Sequence, residues 1–144
     1  MTIRRLLLAV LVIGMAATLI DLLLLSHHED TTQVIPLALL AAALAAVAWG
    51  MTRPSIHSVR TLQVIMTLFV IAGLVGVGLH FNGAAEFQRD IDPSIAWWPL
   101  VTKVARSQSP PLLAPAAMVQ LGLIGLIYTF RHPVTGPADA TSTR

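Results

Sequence analysis

Residues 6–25, LLLAVLVIGMAATLIDLLLL, form a continuous apolar run that contains a single charged residue, Asp21. About 20 apolar residues are enough for an α-helix to cross the hydrocarbon core of a bilayer. Backbone groups in that core must be hydrogen-bonded within the segment, so the run predicts a transmembrane α-helix. It is longer than the apolar part of a secretory signal, roughly 7–15 residues, and no A-x-A cleavage site follows, so we expect the helix to be retained.

The composition of the whole chain agrees with a lipid environment. Of its 144 residues, 56% are hydrophobic and only 11% are charged, whereas a soluble domain carries about 25% charged residues. The absence of cysteine excludes disulfides, thiolate zinc sites, iron–sulfur ligation and cysteine nucleophiles. The net charge is +2, but the basic residues are scattered at the flanks of apolar segments, so they indicate membrane topology and not nucleic-acid binding.

Three further apolar segments follow the first. Together the four segments predict helices at about residues 6–28, 34–51, 61–81 and 112–131. The predicted fold class is an all-α integral membrane protein, a four-transmembrane-helix up-down bundle that forms a single domain over residues 1–134. Residues 135–144 are small and polar, and they predict a disordered cytoplasmic tail.

Arginines mark three of the helix flanks. Arg4 and Arg5 precede helix 1, Arg53 and Arg60 lie between helices 2 and 3, and Arg131 follows helix 4. An up-down bundle brings these flanks to one end, which the positive-inside rule assigns to the cytoplasm. We therefore expect a multi-pass protein of the inner (plasma) membrane of a bacterium-like cell, with cytoplasmic N and C termini.

The outer loop, residues 82–111 between helices 3 and 4, changes character along its length. Its first part is polar and acidic, and it is followed by WWPLVTKVAR, residues 97–106. Apolar residues there alternate with Lys103 and Arg106 at helical spacing, which predicts a short amphipathic helix lying on the outer leaflet. Trp97 and Trp98 are suited to the lipid–water interface, and Trp49 is a third candidate for an interfacial anchor.

Small residues predict which helix faces pack together, because they allow backbones to approach closely in lipid. The stripe in helix 2 leads us to expect that this helix is central in the bundle. The small-residue faces are Ala38, Ala42, Ala46 and Gly50 in helix 2, Gly73 and Gly76 with His80 in helix 3, and Met118, Gly122, Gly125 and Thr129 in helix 4.

A candidate polar cluster is predicted near the outer ends of the helices, from Asp21, His28, His80 and Gln120, with Glu86 above them. A charged side chain within the hydrocarbon normally faces the bundle interior or water, so we expect Asp21 to face inward. Asp21 and His28 are seven residues apart and share a helix face, and Gln120 is expected near the depth of Asp21.

Three interpretations of this cluster remain open. His28 and His80 are candidate ligands of a metal ion or haem, although no cofactor is otherwise predicted. Asp21 beside His28 could instead hold a proton near physiological pH. In the third interpretation the polar groups only hydrogen-bond one another and fix the outer end of the bundle. His57 and His132 are interpreted as solvated flank residues.

No sequence pattern indicates catalysis, since G-x-S-x-G, H-E-x-x-H and P-loop motifs are absent. The predicted function is that of a small non-enzymatic membrane protein, a structural or accessory subunit. Its expected partners are the lipid bilayer and either further copies of itself or a larger membrane complex, with no nucleic acid. The alternative is a metal-, haem- or proton-binding membrane protein that uses the outer His/acid cluster.

Overall fold

The computed structural model describes residues 2–24, 31–106 and 113–135, with the backbone alone at 31–33. No strand occurs in these ranges, which confirms the prediction of an all-α protein for the part of the chain they cover. The helices are α1 (Ile3–Leu24), α2 (Thr31–Thr52), α3 (Ile56–Ile91), α4 (Trp97–Ala105) and α5 (Leu113–Thr129), and a short 3₁₀ helix follows at Pro133–Thr135. The predicted tail beyond residue 135 lies outside the described residues.

Three of these helices are long and apolar enough to cross a membrane: Ile3–Leu24, Val34–Thr52 and Ile56–Ile91. The chain is therefore a membrane protein, as the sequence predicts. The fourth apolar segment forms α5, which is equally apolar but has only 17 described residues. The helices α1, α2, α3 and α5 contact one another in a ring, in which α1 and α3 each contact both α2 and α5.

Helix α3 is much longer than the predicted segment 61–81. It begins after Pro54, where Ser55 and Ser58 each accept a hydrogen bond from the other's backbone N–H at 3.1 Å and form a capping box. It continues through the first, polar part of the predicted outer loop and ends at Ile91, ahead of Pro93. Its 36 residues make a rod of about 54 Å, which exceeds the hydrocarbon core of about 30 Å.

The most extensive helix pair is α3 with α5, and glycines let their backbones approach. A Cβ at Gly122 would lie 2.8 Å from the carbonyl oxygen of Met66, and the Met66 side chain fills the space over Gly125. At the other end of the contact, a Cβ at Gly73 would lie 2.7 Å from the carbonyl oxygen of Pro115. The predicted packing face of α5 is confirmed, because Met118, Gly122, Gly125 and Thr129 are all buried.

The predicted packing face of α2 is confirmed only in part, because Ala46 is buried and Gly50 is half-buried. Ala38 and Ala42 are exposed, whereas Leu40, Ala43 and Val47 are buried together with Ala46. Larger side chains make more van der Waals contacts than alanine does, and α2 is rotated so that Leu40 and Val47 enter the core. Among the described helices, α3 contacts α2, α4 and α5, whereas α2 contacts only α1 and α3, so α2 is not the central helix.

Gly73→Ala should lower the free energy of unfolding by about 1–3 kcal/mol through overpacking. The added methyl group would meet two backbone atoms of α5, the Pro115 oxygen at 2.7 Å and the Val119 nitrogen at 2.9 Å. Gly78→Ala on the same helix is the matched control, since a Cβ there has no atom within 4 Å. Denaturation in detergent micelles followed by circular dichroism measures both. Equal effects would contradict the close α3–α5 contact.

Candidate functional site

Four of the five residues of the predicted polar cluster lie in the described part of the chain. Asp21, His80, Glu86 and Gln120 are all exposed. His28 lies outside the described residues, so its meeting with His80 stays a prediction, and His27, Glu29 and Asp30 lie outside them as well. Among the residues that are described, no three His, Asp or Glu side chains form a group that could hold a metal ion.

His80 does not face the bundle interior as predicted. A Cβ at Gly76 would meet the Pro115 ring at 3.1 Å, but His80 lies one helical turn further along α3, beyond the first turn of α5. Its Nδ1 is 2.9 Å from the carbonyl oxygen of Gly76 in its own helix. A carbonyl oxygen can only accept, so Nδ1 donates in this bond and Nε2 is the nitrogen left for any other partner.

Gln120 and Asp21 lie at different depths. A Cβ at Gly14 of α1 would be 2.6 Å from the side chain of Leu121, so Gln120 is level with the middle of α1. Asp21 is seven residues further along α1 than Gly14, which is about 10 Å along the helix axis. The contact between α1 and α5 therefore separates two residues that the sequence places at similar depth.

The end of α3 and helix α4 form a small unit of their own, here called the α3–α4 head (residues 81–106). Ala85 of α3 is buried against Leu100 and Val104 of α4, and each is only 1% exposed. The sequence predicts that the apolar face of α4 lies on the outer leaflet, but Leu100 and Val104 pack against protein instead. The reason is the continuation of α3 to Ile91, which provides an apolar surface for α4.

The turn between the two helices of the head is held by Asp92. Its Oδ1 accepts hydrogen bonds from the backbone N–H of Ser94 at 3.1 Å and from the Ser94 hydroxyl at 2.8 Å. This side-chain-to-backbone turn, with Pro93 between the two residues, ends α3 and redirects the chain. On the far side of the turn, the Trp97 ring meets the Phe81 ring edge-on, with 6.0 Å between the ring centroids.

Large apolar side chains remain uncovered on this head. Phe87 and Ile91 are each 63% exposed, and they lie four residues apart on one face of α3. Trp97 is 57% exposed and Trp98 is 74% exposed. The head thus has a buried apolar cluster that holds it together and a second set of apolar residues that nothing in the described chain covers.

At the opposite end of the bundle, Arg4 joins α1 to α5. Its guanidinium donates to the carbonyl oxygens of Tyr128 at 3.0 Å, Phe130 at 3.1 Å and Arg131 at 2.7 Å. The last carbonyls of a helix have no partner within it and carry partial negative charge, so a cation is favoured there. The sequence indicates Arg4 only as a topology signal. In an up-down bundle, Arg4 and the last turn of α5 lie at the same end. This shared position is the sequence signal that could have indicated its second role.

A small cleft lies at this arginine end, between the first turns of α1 and α3 and the last turns of α2 and α5. Its lining includes Leu8, Gly50, Ser58, Tyr128 and His132. The buried Ser58 hydroxyl donates to the carbonyl oxygen of Ser55 at 2.8 Å. In the described part of the chain, no buried side-chain nitrogen or oxygen lacks a hydrogen-bond partner. The cleft therefore offers no uncommitted buried polar group for chemistry.

His132 is partly buried, in contrast to the prediction that it is a solvated flank residue. Its ring packs edge-on against Tyr128, with 5.7 Å between centroids. Burial lowers the pKa of His132, and the positive charge of Arg4 lowers it further. The histidine is therefore biased toward its neutral form beside the arginine.

The tryptophans mark two levels along the bundle. Trp49 is 41% exposed and precedes Gly50, which faces Ser58 at the start of α3. Trp97 contacts Phe81 near the other end of the same helix. The stretch of α3 from Ser58 to Phe81 is about 35 Å long, close to the thickness of a hydrocarbon core, about 30 Å.

Arg4→Gln should destabilise the protein by about 1–2 kcal/mol, because three carbonyl oxygens lose a charged donor at the end of α5. Arg5→Gln is the matched control, since Arg5 is exposed and its guanidinium makes no hydrogen bond within the described chain. Thermal denaturation in detergent measures both variants. A loss of stability that is the same for Arg4 and Arg5 would show that only net charge matters at this end.

Stability should also depend on the protonation of His132. Its pKa is lowered in the folded protein, so below about pH 6.5 the unfolded chain binds more protons than the folded one. The free energy of unfolding should therefore decrease as the pH falls from about 6.5 through the lowered pKa of the folded state. Denaturation midpoints measured from about pH 8 to about pH 5 test this, and His132→Gln should flatten the dependence. Identical slopes in both proteins would contradict the assignment to His132.

The head and the arginine end each hold residues in defined contacts, whereas Asp21, His80, Glu86 and Gln120 are exposed. Comparison of the chain with protein-family models, with curated proteins and with solved structures finds no match.

Proposed function

We propose that this chain is a non-enzymatic accessory subunit of a membrane complex, which binds a partner protein through the α3–α4 head. The observation that carries the proposal is the length of α3, whose last turns continue past the predicted membrane span and hold α4. A head that is fixed by its own apolar cluster and keeps further apolar residues exposed is suited to docking.

The placement in the membrane is part of the proposal. The levels of Trp49 and of Trp97 would lie at the two bilayer surfaces, where tryptophan is enriched. The arginine end would be cytoplasmic and would contain both termini, and the head would face the outside of an inner (plasma) membrane. The charges support this orientation, because the short flanks at the arginine end carry five arginines, Arg4, Arg5, Arg53, Arg60 and Arg131, against three basic residues, Arg89, Lys103 and Arg106, on the head.

The height of the head above the bilayer explains why its apolar residues need a partner. Ile91 is ten residues beyond Phe81, which corresponds to about 15 Å of helix. The headgroup layer on each side of the hydrocarbon is only about 5–8 Å thick. Ile91, and Phe87 one turn below it, would therefore meet water unless another protein covers them, and exposed apolar groups of this kind mark interaction sites.

The packing of the bundle supports a non-enzymatic role. Leu11, Met15, Leu40, Met66 and Phe69 have no exposed surface and fill the interior between the helices. The buried hydroxyl of Thr129 donates to the carbonyl oxygen of Gly125 in its own helix at 3.1 Å. Hydroxyls that are committed in this way give neither a nucleophile nor a path for ions.

A photocrosslinker placed at Phe87 should capture one defined partner protein in native membranes. The matched control position is Val64, which lies on the same helix, is 60% exposed and faces lipid in the proposed placement. Replacing Ile91 with serine, next to the crosslinker at position 87, should reduce the captured product because it removes part of the apolar surface.

Cysteine labelling gives the control for orientation, because the natural chain has no cysteine. In Asp90→Cys, a reagent that does not cross membranes should react from outside the cell, while a reporter fused after Arg144 should lie in the cytoplasm. A chain that forms no product at position 87, or that forms the same product at position 64, would contradict docking through the head.

A further inference from the structure

Gln120 is a polar residue on the face of α5 that no other described helix covers. Its side chain is exposed, and no side-chain hydrogen bond joins it to the described part of the chain. Its neighbours on the same face of the helix are also exposed, at alternating spacings of three and four residues. This exposed stripe of α5 consists of Leu113, Ala116, Gln120, Leu123 and Ile127.

In the proposed membrane placement, packing contacts put Gln120 near the middle of the bilayer. On one side, Leu121 meets Gly14, in the middle of α1. On the other side, Val119 meets Gly73 and Gly122 meets the Met66 oxygen, so Gln120 is level with the centre of the α3 span. An amide at this depth cannot reach either interface, because its side chain is short compared with a half-thickness of about 15 Å.

The stripe on α1 provides a comparison. It has the same spacing and is equally exposed, but every member is apolar; it consists of Leu6, Val10, Ile13, Ala17, Ile20 and Leu24. Ile13, beside Gly14, is at the same depth as Gln120. At the depth of Gln120 the α1 stripe carries only apolar side chains, and its charged neighbour, Asp21, is exposed about 10 Å nearer the outer end of α1. An unpaired amide near the middle of the hydrocarbon is costly and requires a hydrogen-bonding partner.

We propose that the α5 stripe is a dimer interface, and that its occupant is α5 of a second copy of this chain. Two copies inserted in the same orientation can be related by a twofold axis along the bilayer normal, which sets each residue against its own equivalent. The amide of Gln120 both donates and accepts, so two opposed amides satisfy each other. Two opposed carboxylates or two opposed lysines could not do so.

The spacing of the stripe suits this arrangement. Alternating steps of three and four residues form the seam of a left-handed helix pair, and one polar residue in such a seam fixes the register of the two helices. Gln120 would thus favour dimerisation through the α5 stripe and not through the α1 stripe. It would also align residues 116 and 123 of one copy with the same residues of the other copy. The interface is separate from the α3–α4 head and does not require docking there, but the depth of Gln120 rests on the membrane placement proposed together with that function.

Disulfide crosslinking of the full-length protein in lipid vesicles tests the proposal. Ala116→Cys and Leu123→Cys should each form crosslinked dimers while Gln120 is intact, and Ile13→Cys on α1 should not. In the Leu123→Cys background, Gln120→Leu should raise the dimer dissociation constant about three- to eightfold, as expected for the loss of one to two intramembrane hydrogen bonds. Gln120→Asn should retain most of the dimer, because asparagine has the same amide.

The folding of each variant can be checked independently. Gln120 is exposed within one copy, so Gln120→Leu should leave the denaturation midpoint of diluted monomers unchanged. Crosslinking that is equal at positions 13 and 123, or that is insensitive to Gln120→Leu, would overturn the proposal. So would a protein that stays monomeric as the ratio of protein to lipid is raised, which would leave the stripe to a different protein.

Discussion

The backbone contact between α3 and α5 is the constraint on which the rest of the structure depends. Because Gly73 and Gly122 have no side chains, the backbones of the two helices approach each other closely at both positions. This contact fixes the position of α5, and α1 then packs on α5 through Leu121 and Gly14. In lipid, close packing of this kind replaces the hydrophobic effect as the force that holds helices together.

The same contact decides which polar residues can meet. It determines that Gln120 is level with Gly14 and not with Asp21. Helix α5 packs against α3 only as far as Gly76, so His80, one turn further along α3, is exposed. The four residues of the predicted polar cluster that the structure describes, Asp21, His80, Glu86 and Gln120, are all exposed. The defined features of the molecule are the packing of the α3–α4 head, the hydrogen bonds of Arg4 and the exposed stripe of α5.

Different interactions stabilise the two ends of the bundle. At the arginine end, one guanidinium satisfies three carbonyl oxygens and draws the first turn of α1 onto the end of α5. At the other end, the long α3 helix and the Asp92 turn support α4 through apolar packing. Exposed aromatic and aliphatic side chains remain at both ends, Met51 and Phe130 at the arginine end and Phe87, Ile91 and Trp98 on the head.

The sequence by itself determined that the chain is helical and membrane-spanning, because apolar runs of about 20 residues have no other stable form in lipid. It also determined the packing face of α5, since glycines at helical spacing permit only one close approach. Tertiary structure decided the rest. The extension of α3 through Asn82 and Gly83 is supported by the packing of α4 on Ala85, which local propensity cannot reveal. The rotation of α2 and the depths of Asp21 and Gln120 depend on how neighbouring helices are shifted along one another, and periodicity within one helix contains no information about that shift.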